Sequence, residues 1–339
     1  MRSRLLSAPP ARSRTGVPSP SGRPTRPRRA LFRWLRLTYL LLMVVLAAGG
    51  FESACAAPPR YAHPEVLAST EWLAEHLQDP AMRVVDGRNP AWGPDPWSLY
   101  VKGHIPGAVF VNVFTDLSDP TNAVPLEILP TEPFAALMSK MGIDNKTTVI
   151  VYDDAGGLWA ARLWWGLRYY GHDKVQILNG GLTKWQAEGR RTETEQANPA
   201  PRTFRAEARP KLLANLAEVK AATTDKKCVL VDSLSPECYR GETNCNPGQP
   251  GHIPSALNLF AEANLDPATR TVLGPKELAG LWASLGIKPG QRVITYCGAG
   301  YYGAFDLAML DLLGYKNIAL YDGSTLEWTS HPELPVETK

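Results

Sequence analysis

The sequence predicts an α/β fold made of tandem duplicated domains, each a mostly parallel sheet flanked by helices. Three observations predict it. Four short motifs recur in the same order roughly 145 residues apart. Short β-branched runs alternate with longer helical patterns in both copies. The composition, with 44% hydrophobic and 20% charged residues over 339 positions, is that of a globular chain long enough for two domains.

The repeat sets the domain organisation. The matched pairs are VVD at 84–86 with LVD at 230–232, GHIPGA at 103–108 with GHIPSA at 251–256, VIVYD at 149–153 with VITYC at 293–297, and GGLTKW at 180–185 with DGSTLEW at 322–328. A period of this size is a domain and not a solenoid unit. We therefore expect one domain at residues 61–190, a second at 211–339, and between them a linker at 191–210 that is rich in Glu, Thr, Pro and Ala.

The first 56 residues are interpreted as a signal or targeting segment. Residues 1–51 hold ten arginines and no acidic residue, and an apolar run of 12 residues, 37–48, follows the basic stretch. That run is too short to cross ~30 Å of hydrocarbon, and the order of segments is typical of a secretory signal. The string ACA at 54–56 fits a cleavage site before Ala57. An uncleaved membrane anchor and a lipid on Cys55 are the alternatives, and every version places the body in the periplasm or cell envelope.

The charge of the body excludes one class of partner. Without the first 56 residues, 26 basic residues face 32 acidic ones, a net charge of −6. A nucleic-acid-binding protein needs a cationic surface, so no nucleic-acid partner is expected. Five cysteines are too few for a disulfide scaffold, and no His/Cys/Asp cluster has the spacing of metal ligands.

One strand–helix unit in each half places the expected site. Residues 149–152 and 292–296 are apolar runs of strand length, and residues 158–170 and 303–313 have helical spacing and end at glycines. Strand, helix and strand in sequence imply a parallel sheet, and such sheets bind ligands beyond the carboxyl ends of their strands. The turns after residues 152 and 296 are therefore the expected functional loops.

The second of these turns carries the candidate nucleophile, Cys297. The residues that follow it are Gly298, Ala299, Gly300, Tyr301, Tyr302 and Gly303. Glycines allow backbone N–H groups to turn inward as an anion-binding nest, and the helix start adds unsatisfied donors. Such a place is expected to lower the pKa of a thiol and to hold a sulfur anion without a metal or organic cofactor. The alternative is a small buried cysteine in a tight turn.

These segments, together with LWAARLWW at 158–165 and TDLSD at 115–119, resemble the two-domain rhodanese family of thiosulfate and 3-mercaptopyruvate sulfurtransferases. The resemblance covers residues 61–335. It implies that only the second domain is catalytic and that a sulfane sulfur is carried as a persulfide on Cys297. It also implies a small-molecule sulfur donor and a thiol or cyanide acceptor. Asp153 stands in the first half where Cys297 stands in the second, and a carboxylate cannot carry sulfane sulfur.

Departures from the family pattern leave the donor open. The substrate is expected to contact the loop residues listed above and Arg240. Thiosulfate-type members have basic residues after the cysteine, whereas Gly298 and Ala299 stand here. The pattern Cys-Gly-x-Gly is similar to the mercaptopyruvate type and favours that donor, although Tyr301 and Tyr302 match neither type. The family commonly has an arginine before the aromatic residue upstream of GHIP; Cys238 occupies that place, and Arg240 lies two positions later.

Other interpretations were weighed against this one. A cysteine phosphatase needs an arginine six residues after the cysteine, and Gly303 stands there. A non-catalytic sulfur-binding or partner-docking module remains the alternative function.

His104 and His252 are expected to fix loops and not to act as bases, because the inactive half has such a histidine too. Residues 164–165, both Trp, are expected in the core and Cys228 as a buried thiol. Cys238 and Cys245 either pair or stay free.

Overall fold

Two five-stranded sheets, parallel throughout, form the framework of the molecule. The structure is a computed structural model that describes residues 60–89, 93–245, 248–288 and 290–339. The first sheet has the order β1-β5-β4-β2-β3 and the second β6-β10-β9-β7-β8. The ten strands are β1 Leu67–Ala68, β2 Met82–Asp86, β3 Val109–Phe110, β4 Thr148–Tyr152, β5 Val175–Leu178, β6 Leu213–Ala214, β7 Cys228–Asp232, β8 Leu257–Asn258, β9 Arg292–Tyr296 and β10 Ile318–Tyr321. The predicted fold of tandem duplicated α/β domains is confirmed. The predicted targeting segment, 1–56, lies outside the described residues.

Helices cover both sheets. They are α1 Thr70–His76, α2 Pro96–Lys102, α3 Thr131–Lys140, α4 Ala160–Tyr169, α5 Gly181–Ala187, α6 Leu216–Ala222, α7 Pro236–Tyr239, α8 Pro275–Ala283, α9 Tyr301–Leu312 and α10 Ser324–Trp328, with short 3₁₀ turns at Pro64–Val66, Pro210–Leu212 and Ala261–Asn264. The described part holds no helix whose length and hydropathy would let it cross a bilayer.

The helices that follow the two functional loops join the halves. Helices α4 and α9 pack against each other, and their apolar side chains belong to one hydrophobic core that spans both sheets. Trp164 and Trp165 of α4 are buried in it, as expected. Helix α9 begins two residues before its predicted start because Gly300, at φ +81°, turns the chain directly into the helix. Strands β4 and β9 lie in the centre of their sheets, so the loops after them open towards the middle of the molecule.

The linker expected at residues 191–210 is an ordered strap on the first domain. The side chain of Phe204 is buried, and its N–H donates to Ser139 Oγ at 3.0 Å. The N–H of Glu207 donates to the carbonyl of Tyr170 at 3.1 Å. The strap is therefore held by backbone hydrogen bonds although it has no apolar periodicity.

Candidate active site

Cys297 lies directly after β9, and its side chain is only 4% exposed. The backbone N–H groups of Ala299, Tyr302 and Gly303 face its sulfur closely enough to favour the charged form of the thiol. Three amides of the glycine-rich turn thus converge on the sulfur atom. This arrangement can stabilise a sulfur anion through backbone dipoles.

The pKa of the Cys297 thiol is raised and not lowered, so that expectation from the sequence is wrong. Burial disfavours the charged form and raises the pKa, and the three backbone N–H groups lower it by less. The charge of Asp232 adds to the increase. The pattern of glycines identifies the donors, but the degree of burial comes from packing of the two domains.

The segment after β10 holds the Cys297 loop in place through hydrogen bonds. Ser324 Oγ accepts the N–H of Cys297 at 3.1 Å and donates to the carbonyl of Tyr321 at 2.9 Å. The N–H of Thr325 donates to the carbonyl of Cys297 at 3.0 Å. Ser324 has φ +51°, an uncommon conformation for a residue with a side chain. The sequence reasoning assigned it no role; the signal was a serine where the first repeat has Gly181.

A buried ion pair between the two domains lies next to the same loop. Arg162 of α4 is fully buried, forms an ion pair with Asp322 and donates to the carbonyl of Leu126 at 2.7 Å. Its guanidinium lies 5.0 Å from the ring centre of Tyr301. Burial alone would lower the pKa of Arg162, but the charges of Asp322 and Cys297 raise it overall. Arg162 of the first domain therefore places a positive charge close to Gly300 of the loop, paired with Asp322, which lies 160 positions away in the sequence.

The two tyrosines of the loop have different surroundings. Tyr301 is buried, donates its hydroxyl to the carbonyl of Val113 at 3.2 Å and packs edge-on against Phe114, with ring centres 4.5 Å apart. Tyr302 is half-buried beside Trp159, at 5.5 Å between ring centres. Of these two predicted substrate-binding residues, Tyr302 is the more exposed, whereas Tyr301 ties the loop to the first domain.

Arg240 is exposed and neutralised by its own neighbours. Its Nε lies 2.7 Å from Glu242, and its Nη2 lies 3.9 Å from Glu237. It follows α7, in a loop that a disulfide between Cys238 and Cys245 closes, with the two Cα atoms 5.5 Å apart. This answers the open question of whether the two cysteines pair. The carbonyl oxygen of Cys245 lies 3.9 Å from the position that a Cβ on Gly298 would occupy, so the disulfide loop lies against the Cys297 loop.

The other residues singled out in the sequence have structural roles. His104 Nδ1 lies 2.8 Å from the carbonyl of Tyr100, and His252 Nδ1 lies 2.7 Å from that of Tyr239, each imidazole stacked on the ring of the same tyrosine. Both histidines therefore fix loops, as expected. Cys228 is only partly buried, so the prediction of a buried thiol is wrong, because this residue is the first of β7 and lies at the amino end of the strand.

The turn after β4 also directs backbone N–H groups inward, but around a different occupant. The carboxylate of Asp153 accepts backbone N–H groups from four residues at 2.7–2.9 Å, which are Ala155, Gly157, Trp159 and Ala160. In the part of the chain that the structure describes, no group of His, Cys, Asp or Glu side chains is arranged to hold a metal ion.

Comparison with known proteins identifies the relatives of this arrangement. A model of the rhodanese-like domain matches residues 69–188 and 215–331. The sulfur carrier protein TtuD of Thermus thermophilus is 36% identical over 292 residues, 81% of this chain and 98% of that protein. The 3-mercaptopyruvate sulfurtransferase of Escherichia coli is 33% identical, over 80% of this chain and 97% of that one. The crystal structure of SseA from Escherichia coli superposes with a TM-score of 0.70 at 31% identity, covering 76% of this chain and 98% of that chain.

Proposed function

We propose that this chain, which belongs to the rhodanese family and is a sulfurtransferase, moves a sulfane sulfur from a small-molecule donor to a thiol or cyanide acceptor through a persulfide on Cys297. The observation that carries the proposal is the convergence of three backbone N–H groups on the Cys297 sulfur at the end of β9. A persulfide places an anionic sulfur at this point, and backbone donors stabilise it without any added cofactor.

The first half-reaction loads the enzyme. The Cys297 thiolate attacks the transferable sulfur of the donor, an S–S bond forms, and the bond between that sulfur and the rest of the donor breaks. The electron pair leaves with the remainder, as sulfite from thiosulfate or as pyruvate, after uptake of a proton, from 3-mercaptopyruvate. Arg162 lies beneath the loop and stabilises the negative charge on Cys297.

The second half-reaction discharges it. The acceptor thiolate or cyanide attacks the terminal sulfur, its bond to that sulfur forms, and the electron pair of the S–S bond returns to Cys297. The amides of Ala299, Tyr302 and Gly303 then stabilise the thiolate that leaves. Two half-reactions that share one covalent intermediate predict ping-pong kinetics.

The electrostatics of the loop favour 3-mercaptopyruvate as donor over thiosulfate. Thiosulfate is a compact dianion, and burying it needs cations or many hydrogen-bond donors. The loop from Gly298 to Gly303 has no Lys or Arg, Arg162 is paired with Asp322, and Arg240 with Glu242. A donor with a single carboxylate demands less positive charge. The name of the Escherichia coli relative supports the same choice.

The proposal is tested by loading the purified chain and locating the sulfur. Incubation with each donor in the absence of acceptor should add one sulfur atom to the peptide that contains Cys297, as measured by mass spectrometry. The ratio of kcat/KM for the two donors with one common acceptor then reports specificity. A preference for thiosulfate of about tenfold, worth ~1.4 kcal/mol, would reverse the choice of donor. Absence of sulfur on Cys297 with both donors would contradict the persulfide itself.

Export of the body is part of the proposal. It is supported by the basic and apolar order of residues 1–56 and by the ACA string before Ala57. Mass spectrometry of an envelope fraction should find an N-terminus near Ala57 or a lipid on Cys55. Intact chain confined to the cytosol would contradict both versions.

A further inference from the structure

We propose that Cys238 and Cys245 form a second reactive site, which in its dithiol form takes the sulfane sulfur from Cys297 and releases it as hydrogen sulfide. The inference rests on the persulfide proposed above. It adds an activity to the sulfurtransferase, because sulfur would leave the enzyme in reduced form without an external acceptor.

The position of the pair supports this activity. The Cys238–Cys245 loop lies against the Cys297 loop, with the carbonyl of Cys245 3.9 Å from where a Cβ on Gly298 would stand. Gly298 is the residue directly after Cys297. Among the described residues, the remaining free thiol is that of Cys228, which is aligned with Arg292 at the opposite end of β9 from Cys297.

The surroundings of the two cysteines assign different roles to them. Cys245 is exposed, so its sulfur can approach a neighbouring persulfide, and it is the attacking residue. Cys238 is 7% exposed, and Ser235 donates its hydroxyl to the Cys238 sulfur at 3.3 Å. A hydroxyl donor stabilises a thiolate, which makes Cys238 the resolving residue. The disulfide shows that the loop brings the two sulfur atoms into bonding contact.

The reaction balances in two steps. The Cys245 thiolate attacks the terminal sulfur of the Cys297 persulfide; a Cys245 S–S bond forms, the Cys297 S–S bond breaks, and its electron pair returns to the Cys297 thiolate. The Cys238 thiolate then attacks the Cys245 sulfur, a disulfide forms, and hydrosulfide leaves with the electron pair. Two thiols are oxidised to one disulfide while the sulfane sulfur is reduced to sulfide. A further turnover needs an external dithiol to reduce the disulfide again.

The experiment follows a single turnover of the full chain. The disulfide is reduced, the reductant is removed, and one equivalent of 3-mercaptopyruvate or thiosulfate is added without any acceptor. Wild type should release about one equivalent of sulfide per chain and end with the Cys238–Cys245 disulfide. Cys245→Ser should keep the sulfur on Cys297, whereas Cys238→Ser should hold it on Cys245, as located by peptide mass spectrometry. Cys228→Ser, the matched control, should behave as wild type.

The outcomes separate this inference from the proposed function. The double variant Cys238→Ser/Cys245→Ser measures loading of Cys297 alone. The inference fails if two results are found together: the double variant accumulates the persulfide, and reduced wild type releases sulfide no faster than the double variant. The pair is then only a structural cross-link. If no variant acquires sulfur on Cys297, both proposals fail together. Release from wild type at least about tenfold faster than from Cys245→Ser supports the inference.

Discussion

The turns after β4 and β9 have the same position in their sheets and both direct backbone N–H groups inward, yet they hold different groups. In the first, the Asp153 carboxylate accepts four backbone N–H groups at 2.7–2.9 Å. In the second, three backbone N–H groups face the Cys297 sulfur. The Asp153 carboxylate itself accepts the N–H groups of its turn, whereas in the second turn the N–H groups can donate to a charged sulfur on Cys297. The comparison teaches that, under the proposed function, the residue at this one position decides whether the turn is structural or reactive.

A second difference lies at the ends of β2 and β7. Asp86 is paired with Arg88 at 2.7 Å and accepts the Tyr152 hydroxyl at 2.7 Å. Asp232 occupies the matching place, but Leu234 stands where the first domain has Arg88. Burial raises the pKa of Asp232 to about 7. The second domain thus has an acid without the cation that its counterpart uses.

The largest effect is expected from giving the second turn the residue of the first. Cys297→Asp should abolish transfer, because a carboxylate cannot hold a sulfane sulfur. It should leave the fold intact, because backbone N–H groups of the second turn can donate to a carboxylate, as four of them do in the first turn. Cyanide-dependent turnover and thermal unfolding check both parts, with Cys297→Ser beside it and Cys228→Ser as control. Residual turnover above about a few per cent would contradict the assignment of the nucleophile, and an unfolded Cys297→Asp would contradict the equivalence of the two turns.

Removing the ion pair beneath the loop should have the next largest effect. Arg162→Met leaves the buried Asp322 without its cation, which typically costs about 3–5 kcal/mol of unfolding free energy. Urea unfolding measures it. The double variant Arg162→Met/Asp322→Leu should recover much of the loss because no buried charge remains. Equal destabilisation of the single and double variants would show that the pair acts through packing alone.

Asp232, the acid at the end of β7, should make the free energy of unfolding depend on pH. Because the folded pKa of Asp232 is about 7, above its usual 3.8, the folded state keeps a proton that the unfolded state releases between these values. Unfolding free energy should therefore fall as pH rises through this range, by at most ~1.4 kcal/mol per pH unit. Asp232→Asn should reduce that slope, as measured by urea unfolding at several pH values, while Glu127, whose pKa burial also raises to about 7, keeps its own contribution. An unchanged slope would show that Asp232 is already ionised in the fold.

The smallest effect is expected from the backbone of the reactive turn. Gly300 has φ +81°, and an added Cβ would lie 2.7 Å from Asp322 Oδ1 and 2.8 Å from Arg162 Nη1. Gly300→Val should reduce kcat/KM by about tenfold or more, since strain of this kind costs about 1–3 kcal/mol. Gly298→Ala, where the nearest atom is 3.9 Å away, should lose much less. Equal losses would contradict the role of backbone geometry.

The fold and the position of the candidate turn could be predicted because they depend on local pattern; the assignment of Cys297 as the nucleophile stays a prediction. The repeat located both sheets, and glycines after an apolar run located the turn at Cys297. The ion pair of Arg162 with Asp322 could not be predicted, because it joins residues 160 positions apart that only domain packing brings together. The raised pKa of the Cys297 thiol could not be predicted for the same reason, because burial depends on tertiary packing.

The shared core has a consequence for how the molecule can be divided. Two family-domain matches suggest two modules, but 11 of the 12 residues of α9 are buried, and α9 packs on α4 of the other half. A fragment that begins after the strap would expose this apolar helix to water at a large free-energy cost. Heating should therefore melt both halves in a single calorimetric transition, and the reactive half should not be separable as a soluble miniature enzyme.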